Sequence, residues 1–384
     1  MRRGWPCALG ISLLCLGGEA GAQATQPAPP EKPSKFRSPD DGWFDVSAFL
    51  DEKWGFVPVA VPITEPAIGY GGALGLAFIG KPSGAHAGFS RPSLTAVAGA
   101  LTENGTWSVA GADLRQWMGD RLQTLVVALG GAINLDFHGI GSTGLLEERP
   151  LAYTLEPIGG LVQAKYRLGG TKAWVGLNYM GAKTDVSFEA PPETPGLPAT
   201  GRTSRIGGLT PSLTWDSRDS LFTPGRGTYV EASAGFFGSA LGGDDTFERA
   251  GVVAMQFLTL HPRWVLGARG DIDMSFGDMP FYLRPYVSLR GAPVLRYQGE
   301  HAAKLEAELR WQFWKRFSLV GFAGTGTAWN DLPGVENEQG VTTGGGGFRY
   351  ELARKYKLHM GVDVAFGPDG PALYVQFGSA WFRP

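Results

Sequence analysis

Residues Lys304–Trp314 alternate without a break. Lys304, Glu306, Glu308, Arg310 and Gln312 face one way, and Leu305, Ala307, Leu309, Trp311 and Phe313 face the other. A period of two is the signature of a strand, and no helix can satisfy it. Lys357–Phe366 and Trp264–Phe276 repeat the pattern, and Leu373, Val375, Phe377 and Trp381 share one face near the end. A soluble sandwich also alternates. Here, however, the polar faces are charged or small, and the apolar faces end in aromatics (Trp311, Phe313, Trp381), as the girdles of a membrane barrel would. Composition agrees: 18 % of residues are charged, against roughly 25 % in soluble domains. The 58 glycines among 384 residues show no Gly-X-Y period, which excludes collagen. The fold expected is all-β, a transmembrane antiparallel β-barrel.

The first residues read as an export signal. Arg2 and Arg3 precede a short apolar stretch, Ala8–Gly18, and Ala20-Gly21-Ala22 or Ala22-Gln23-Ala24 offers a small-x-small cleavage frame. Domains are therefore expected as a signal peptide over 1–22, a Pro-rich periplasmic lead over 23–52 and a barrel over 53–384. Cys7 and Cys15 both fall in the signal, so the processed chain would hold no disulfide, cysteine nucleophile or zinc–cysteine site. Losing Arg2, Arg3 and Glu19 takes the net charge from −2 to −3, which gives no electrostatic case for nucleic acid. Beyond the signal no stretch approaches the about 18 apolar residues of a spanning helix.

Sixteen strands are expected, roughly at 53–61, 66–79, 93–102, 106–117, 122–133, 152–168, 171–188, 203–219, 226–237, 247–260, 263–276, 303–314, 317–329, 341–352, 356–366 and 371–382. With the N-terminus in the periplasm, the inner turns are short (118–121, 169–170, 261–262, 315–316, 353–355). The outer loops are longer (134–151, 189–202, 238–246, 277–302, 330–340). That asymmetry is the barrel's own. The long inner connection 80–92 and the tight outer hairpin at Glu103-Asn104-Gly105 run against it.

Leu209–Gly227 reads LTPSLTWDSRDSLFTPGRG. It resembles the D-[ST]-R-D…P-x-x-G region of the BamA/TamA-type bacterial surface antigen family, carried here by Asp216, Arg218, Asp219, Pro224, Gly225 and Gly227. Ser288-Leu289-Arg290-Gly291-Ala292 is similar to that family's (V/L)RG(F/Y) motif, and Glu308-Leu309-Arg310 to its next-strand E-[LY]-R. The resemblance covers 205–382 well. It implies a sixteen-stranded barrel whose sixth outer loop folds into the lumen, with Arg290 pairing to acids on the wall. Candidate partners are Asp273, Glu306 and Glu308, because an unpaired charge in a narrow lumen is costly. It also implies insertion or translocation of other proteins across an outer membrane. Three departures stand out. The lead is too short for a polypeptide-transport-associated domain, Ala292 replaces an aromatic, and Gly324 in Phe322-Ala-Gly-Thr-Gly326 sits where the family usually has an aspartate.

Other features read as structure. Asp271-Ile-Asp273-Met-Ser275-Phe-Gly277 has its glycine at position seven and Tyr282 at position twelve, which does not fit a calcium loop. The glycine clusters lack a phosphate-binding frame, and the five histidines (His86, His138, His261, His301, His359) form no ligand pair at i, i+4. No catalytic residue, cofactor or metal is expected. The bland reading of Asp216, Arg218 and Asp219 is a charge cluster capping a periplasmic turn, and the functional one is client contact. Pro58 and Pro62 in the first strand cannot donate ladder hydrogen bonds, which motivates a labile seam between first and last strands. The function expected is insertion, assembly or export of proteins or lipids at the outer membrane, with outer-membrane lipid and client proteins or a separate periplasmic protein as partners. The alternatives are a passive pore for small solutes or a structural surface protein.

Overall fold

The computed structural model describes residues 34–52, 55–65, 67–80, 91–137, 151–188, 202–331 and 339–384. The expected signal peptide, residues 23–33 of the Pro-rich lead, His86 and His138 lie outside these residues.

Sixteen strands follow in chain order: β1 Val57–Glu65, β2 Gly69–Gly80, β3 Ser93–Thr102, β4 Trp107–Trp117, β5 Leu122–Phe137, β6 Leu151–Arg167, β7 Ala173–Phe188 and β8 Arg202–Asp216, then β9 Gly227–Phe237, β10 Phe247–His261, β11 Trp264–Gly277, β12 His301–Trp314, β13 Phe317–Trp329, β14 Gln339–Ala353, β15 Leu358–Gly367 and β16 Gly370–Phe377. Each pairs antiparallel with the next in a single up-and-down sheet. The sheet curls into a nearly closed barrel, which brings β16 beside β1. There the Thr64 hydroxyl donates to Leu373 O (3.0 Å) and accepts from Leu373 N (2.8 Å).

Burial along the strands is inverted relative to a soluble protein. On β12, Leu305 is 64 % exposed while its neighbours Lys304 and Glu306 are 8 % and 7 % exposed. Leu74, Leu101, Ile158, Leu213 and Phe366 are likewise exposed. An apolar band of this extent is stable only against lipid, and charges turned inward are stable only when paired. Inside, Lys165 pairs with Glu231 (2.7 Å), and Asp271 takes both Arg269 and Lys304. Among the described residues no helix is long and apolar enough to cross a membrane, so the crossing is made by strands.

The barrel has a turn end and a loop end. At the turn end lie 118–121, 168–172, 217–226, 262–263, 315–316 and 354–357. The loop end carries 238–246 and 278–300. Strand positions follow the expected ones; β2 begins three residues later and β5 runs on to Phe137 instead of 133, and three further differences have a visible cause. First, β8 stops at Asp216 rather than 219, because Asp216, Arg218 and Asp219 bond among themselves and to the turn. Second, β1 starts at Val57 and runs to Glu65, displaced from the expected 53–61. Third, β16 ends at Phe377, not 382. Gly378 takes a left-handed φ of 82° and bonds His359 O, and the chain leaves the sheet. Trp381 therefore does not share the lipid face of Leu373. It is buried against Tyr229, Met255 and Phe257, across the barrel.

The segment expected as a free lead is docked from Phe36 onward. Val46 N bonds Leu352 O, and the short helix α1 (Ser47–Leu50) buries Leu50 against Phe222, Tyr356 and Leu358. Arg316, in the β12–β13 turn, is fully buried between Asp41 (2.9 Å) and Asp45 (2.8 Å). The hydrogen bonds from Arg316 hold the Asp41 carboxyl well below the usual carboxylate range, against burial, which raises it. A depressed carboxylate stabilises docking fully above its unfolded pKa, roughly 4, and loses that contribution as pH falls through the folded value. Pepsin cleavage within 36–50 should therefore be slow at pH 4 and accelerate in stronger acid, with Arg316→Gln moving the onset upward. An onset unmoved by Arg316→Gln would show that this pair does not hold the segment.

Candidate functional site

The β11–β12 connection is a narrow excursion. Val287 N bonds Tyr297 O, Gly299 N bonds Pro285 O, and Tyr286 bridges Gln298. These bonds tie the two legs together and present Ser288–Arg296 as a tip. The tip rests on residues of the barrel's last strands. Gly291 N donates to the Tyr374 hydroxyl (3.0 Å), and Lys304 Nζ donates to Ser288 Oγ. Leu289 lies where a Cβ on Gly324 would come within 2.9 Å of it, and Val287 stands likewise over Gly326. Glycine at 324 thus makes room for the motif segment, where an aspartate would collide with it.

Arg290 is the centre of a charge cluster. Its Nε donates to Glu306 Oε1 (2.8 Å) and its Nη1 to Asp363 Oδ2 (2.8 Å). Nη1 also lies 2.9 Å from Glu308 Oε2. The guanidinium stacks 3.6 Å over the Phe322 ring. Arg349 completes the group with a bidentate pair to Asp363, which is fully buried. Arg310 reaches the turn end instead and donates to Pro224 O (3.2 Å). Two arginines thus pair with three carboxylates in one sector, and fork-shaped guanidinium groups are suited to such shared pairing.

The candidates named from sequence divide here. Glu306 and Glu308 lie in contact with Arg290. Asp273 does not, because it sits on β11 opposite Gly251 and Ala302, away from the cluster. The partner missed was Asp363 on β15, a strand far from the motif in sequence. Its one sequence signal is that it is the only acid on the polar face of Lys357–Phe366.

A second insert arrives from the turn end. Beyond Gly378 the C-terminal residues cross to the far wall. The Trp381 indole N–H donates to Glu306 Oε2 (2.5 Å), the carboxylate that also takes Arg290. Arg218 Nη2 donates to Arg383 O (2.8 Å), and Arg383 lies 3.6 Å from Glu231. Asp216 binds Arg218 through both oxygens and Arg91 at 2.9 Å. Asp219 accepts from Gly225 N and Lys357 Nζ (both 2.8 Å). Pro224 and Gly225 lie on this same turn. Gly227 closes it at φ 109°, where a Cβ would stand 2.4 Å from Ser217 O. The turn residues thus tie together the β8–β9 turn, the C-terminal tail and the β14–β15 turn.

Pro58 and Pro62 are both in β1, paired to Leu76 and Gly72 of β2. Among the described residues no backbone ladder joins β1 to β16. Among the described residues one grouping has metal-ligand character: Glu300, His301 and Asp331 at the loop end. Its acids already have protein partners: Asp331 bonds His301 Nε2 (2.9 Å), while Glu300 accepts Asp331 N and lies 3.6 Å from Arg284.

Inverted strands, an arginine motif seated on the last strands and an unladdered seam together describe a membrane β-barrel. The chain is an outer-membrane β-barrel whose residues 185–367 match the Omp85 superfamily domain. Its fold is similar to BamA from Haemophilus ducreyi lacking POTRA domains 1–3 (TM-score 0.54, 11 % identity, covering 89 % of this chain and 79 % of that one). It is also similar to CdiB from Escherichia coli (0.57, 10 %, 83 % and 61 %) and CdiB from Acinetobacter baumannii (0.52, 10 %, 84 % and 60 %). The chain spans about three fifths of each CdiB. No curated protein matches it by sequence.

Leaving Glu306 and Glu308 without their arginine strands buried charge, a loss of about 3–5 kcal/mol, while Asp363 keeps Arg349. Arg290→Ala should therefore lower the temperature of heat-modifiable gel migration and open 285–299 to protease. Unchanged values of both would remove Arg290 as the tether.

Proposed function

We propose that this barrel takes part in inserting or exporting proteins or lipids at the outer membrane, and that its β1–β16 seam is the moving part. The observation that carries this reading is the contact between the two edges. A threonine side chain, not a run of amides, bonds Leu373, and β1 holds two prolines among nine residues. A strand edge short of its own partners can accept another strand, the general basis of β-augmentation. The likeness to BamA and CdiB barrels supports the same direction.

In this reading the 285–299 segment folds into the lumen and Arg290 locks it there. The rim cluster of Asp216, Arg218 and Asp219 faces the periplasm and holds the C-terminal tail. Client proteins, outer-membrane lipid and a separate periplasmic protein are the partners this implies. A passive pore for small solutes is the less favoured alternative, because an open channel gives no use to a motif segment and a C-terminal tail that both bond Glu306. Steady conductance of the purified protein in planar bilayers would favour the pore.

The seam is tested by Thr64→Cys with Leu373→Cys in vesicles, following insertion of an unfolded outer-membrane barrel protein. Oxidation should abolish acceleration over empty vesicles, and reductant should restore it. Full acceleration by the cross-linked barrel would overturn the seam as the working element.

A further inference from the structure

The segment 36–56 is two-faced. Its acids point at the turn end: Asp41 and Asp45 to Arg316, Asp41 also to Arg354, and Asp51 to Lys355 and the Tyr356 hydroxyl. Those bonds fix which side of the strap faces the protein, and they leave its aromatic side turned away. Phe36 and Phe44 are 43 % and 50 % exposed and stack on each other (6.3 Å, 8°). The chain of rings continues through Phe49 and Phe56 to Phe78 on β2.

This aromatic face is continuous with the barrel's lipid-facing belt. Trp43 sits edge-on to Trp314 (5.0 Å) and Phe317 (5.7 Å). Phe317 in turn packs on Phe348 and Tyr350, and Trp314 and Phe348 are exposed on the outer surface. Strap and belt therefore stand at one level, where aromatic rings meet the headgroup region of a leaflet.

The strap also covers a breach. β16 ends at Phe377, opposite Met360, and the chain then turns inward. Phe36, Phe44, Phe49 and Phe56 line, with Val57 and Met360, an almost wholly apolar cavity of about 400 Å³ outside the missing strand end. A cavity so lined and level with the belt suits a hydrocarbon chain rather than a polar ligand.

We propose that the outward face of residues 36–52, with Phe56, is a lipid-binding surface. Phe36 and Phe44 enter the leaflet at the turn end, and a phospholipid acyl chain fills the cavity over the unpaired end of the seam. This inference rests on the barrel's membrane placement and not on its role in insertion or export.

The test uses nitroxide labels in a chain carrying Cys7→Ser and Cys15→Ser, reconstituted in nanodiscs of phosphatidylethanolamine and phosphatidylglycerol. Labels at Phe36→Cys and Phe44→Cys should show high oxygen and low nickel-chelate accessibility, as at Phe348→Cys on the belt. A label at Asp40→Cys should show the reverse. Nickel accessibility at 36 and 44 equal to that at 40 would overturn the proposal. Because a label can perturb the strap, hydroxyl-radical footprinting of the unsubstituted chain in the same nanodiscs provides a second reading. Phe36 and Phe44 should be protected to the same degree as Phe348, and oxidation several-fold above it would equally overturn the proposal.

Discussion

In hydrocarbon every strand amide must find its partner within the protein, because no water is present to take it. Fifteen antiparallel ladders meet that demand along this chain. The sixteenth position, between β1 and β16, meets it through the Thr64 side chain and little else. Most of the unusual structure gathers around that shortfall. The C-terminal chain departs inward below it, the N-terminal strap lies across it from outside, and the motif segment rests on Tyr374 of the adjoining strand.

Closing a sheet around charge imposes a second demand. A lone ion on an inward position would cost several kcal/mol after relaxation, and the wall answers with balanced groups. Arg290 and Arg349 stand with Glu306, Glu308 and Asp363 on one side, and Lys165 pairs with Glu231 on another. Such groups are specific more than they are stabilising. Each arginine fork fits a particular carboxylate arrangement, so the motif segment has one seat on this wall and no slipped alternative of equal quality.

Much of this was legible beforehand, and the reason is local. A residue's side of a barrel wall follows from its parity along the strand, so the alternation in Lys304–Trp314 reads directly as wall and lipid. Glu306 and Glu308 were within reach of the motif loop for the same reason, being on the next strand. Asp363 was not, because parity says which way a side chain points and nothing about which distant strand curls round to face it. The tail misled for a related cause. Trp381 keeps the phase of Leu373 and Phe377, but Gly378 breaks the backbone between them, and a glycine among so many carries little warning. The strap carries no such signal, because within the Pro-rich lead nothing alternates. Its holding groups are single acids whose cation, Arg316, lies some 270 positions away.

Glu306 carries a consequence beyond its own strand. One of its oxygens holds the guanidinium that arrives from the loop mouth, and the other holds the indole that arrives from the turn mouth. A single substitution at Glu306 therefore removes a bond to the motif segment and a bond to the C-terminal tail together.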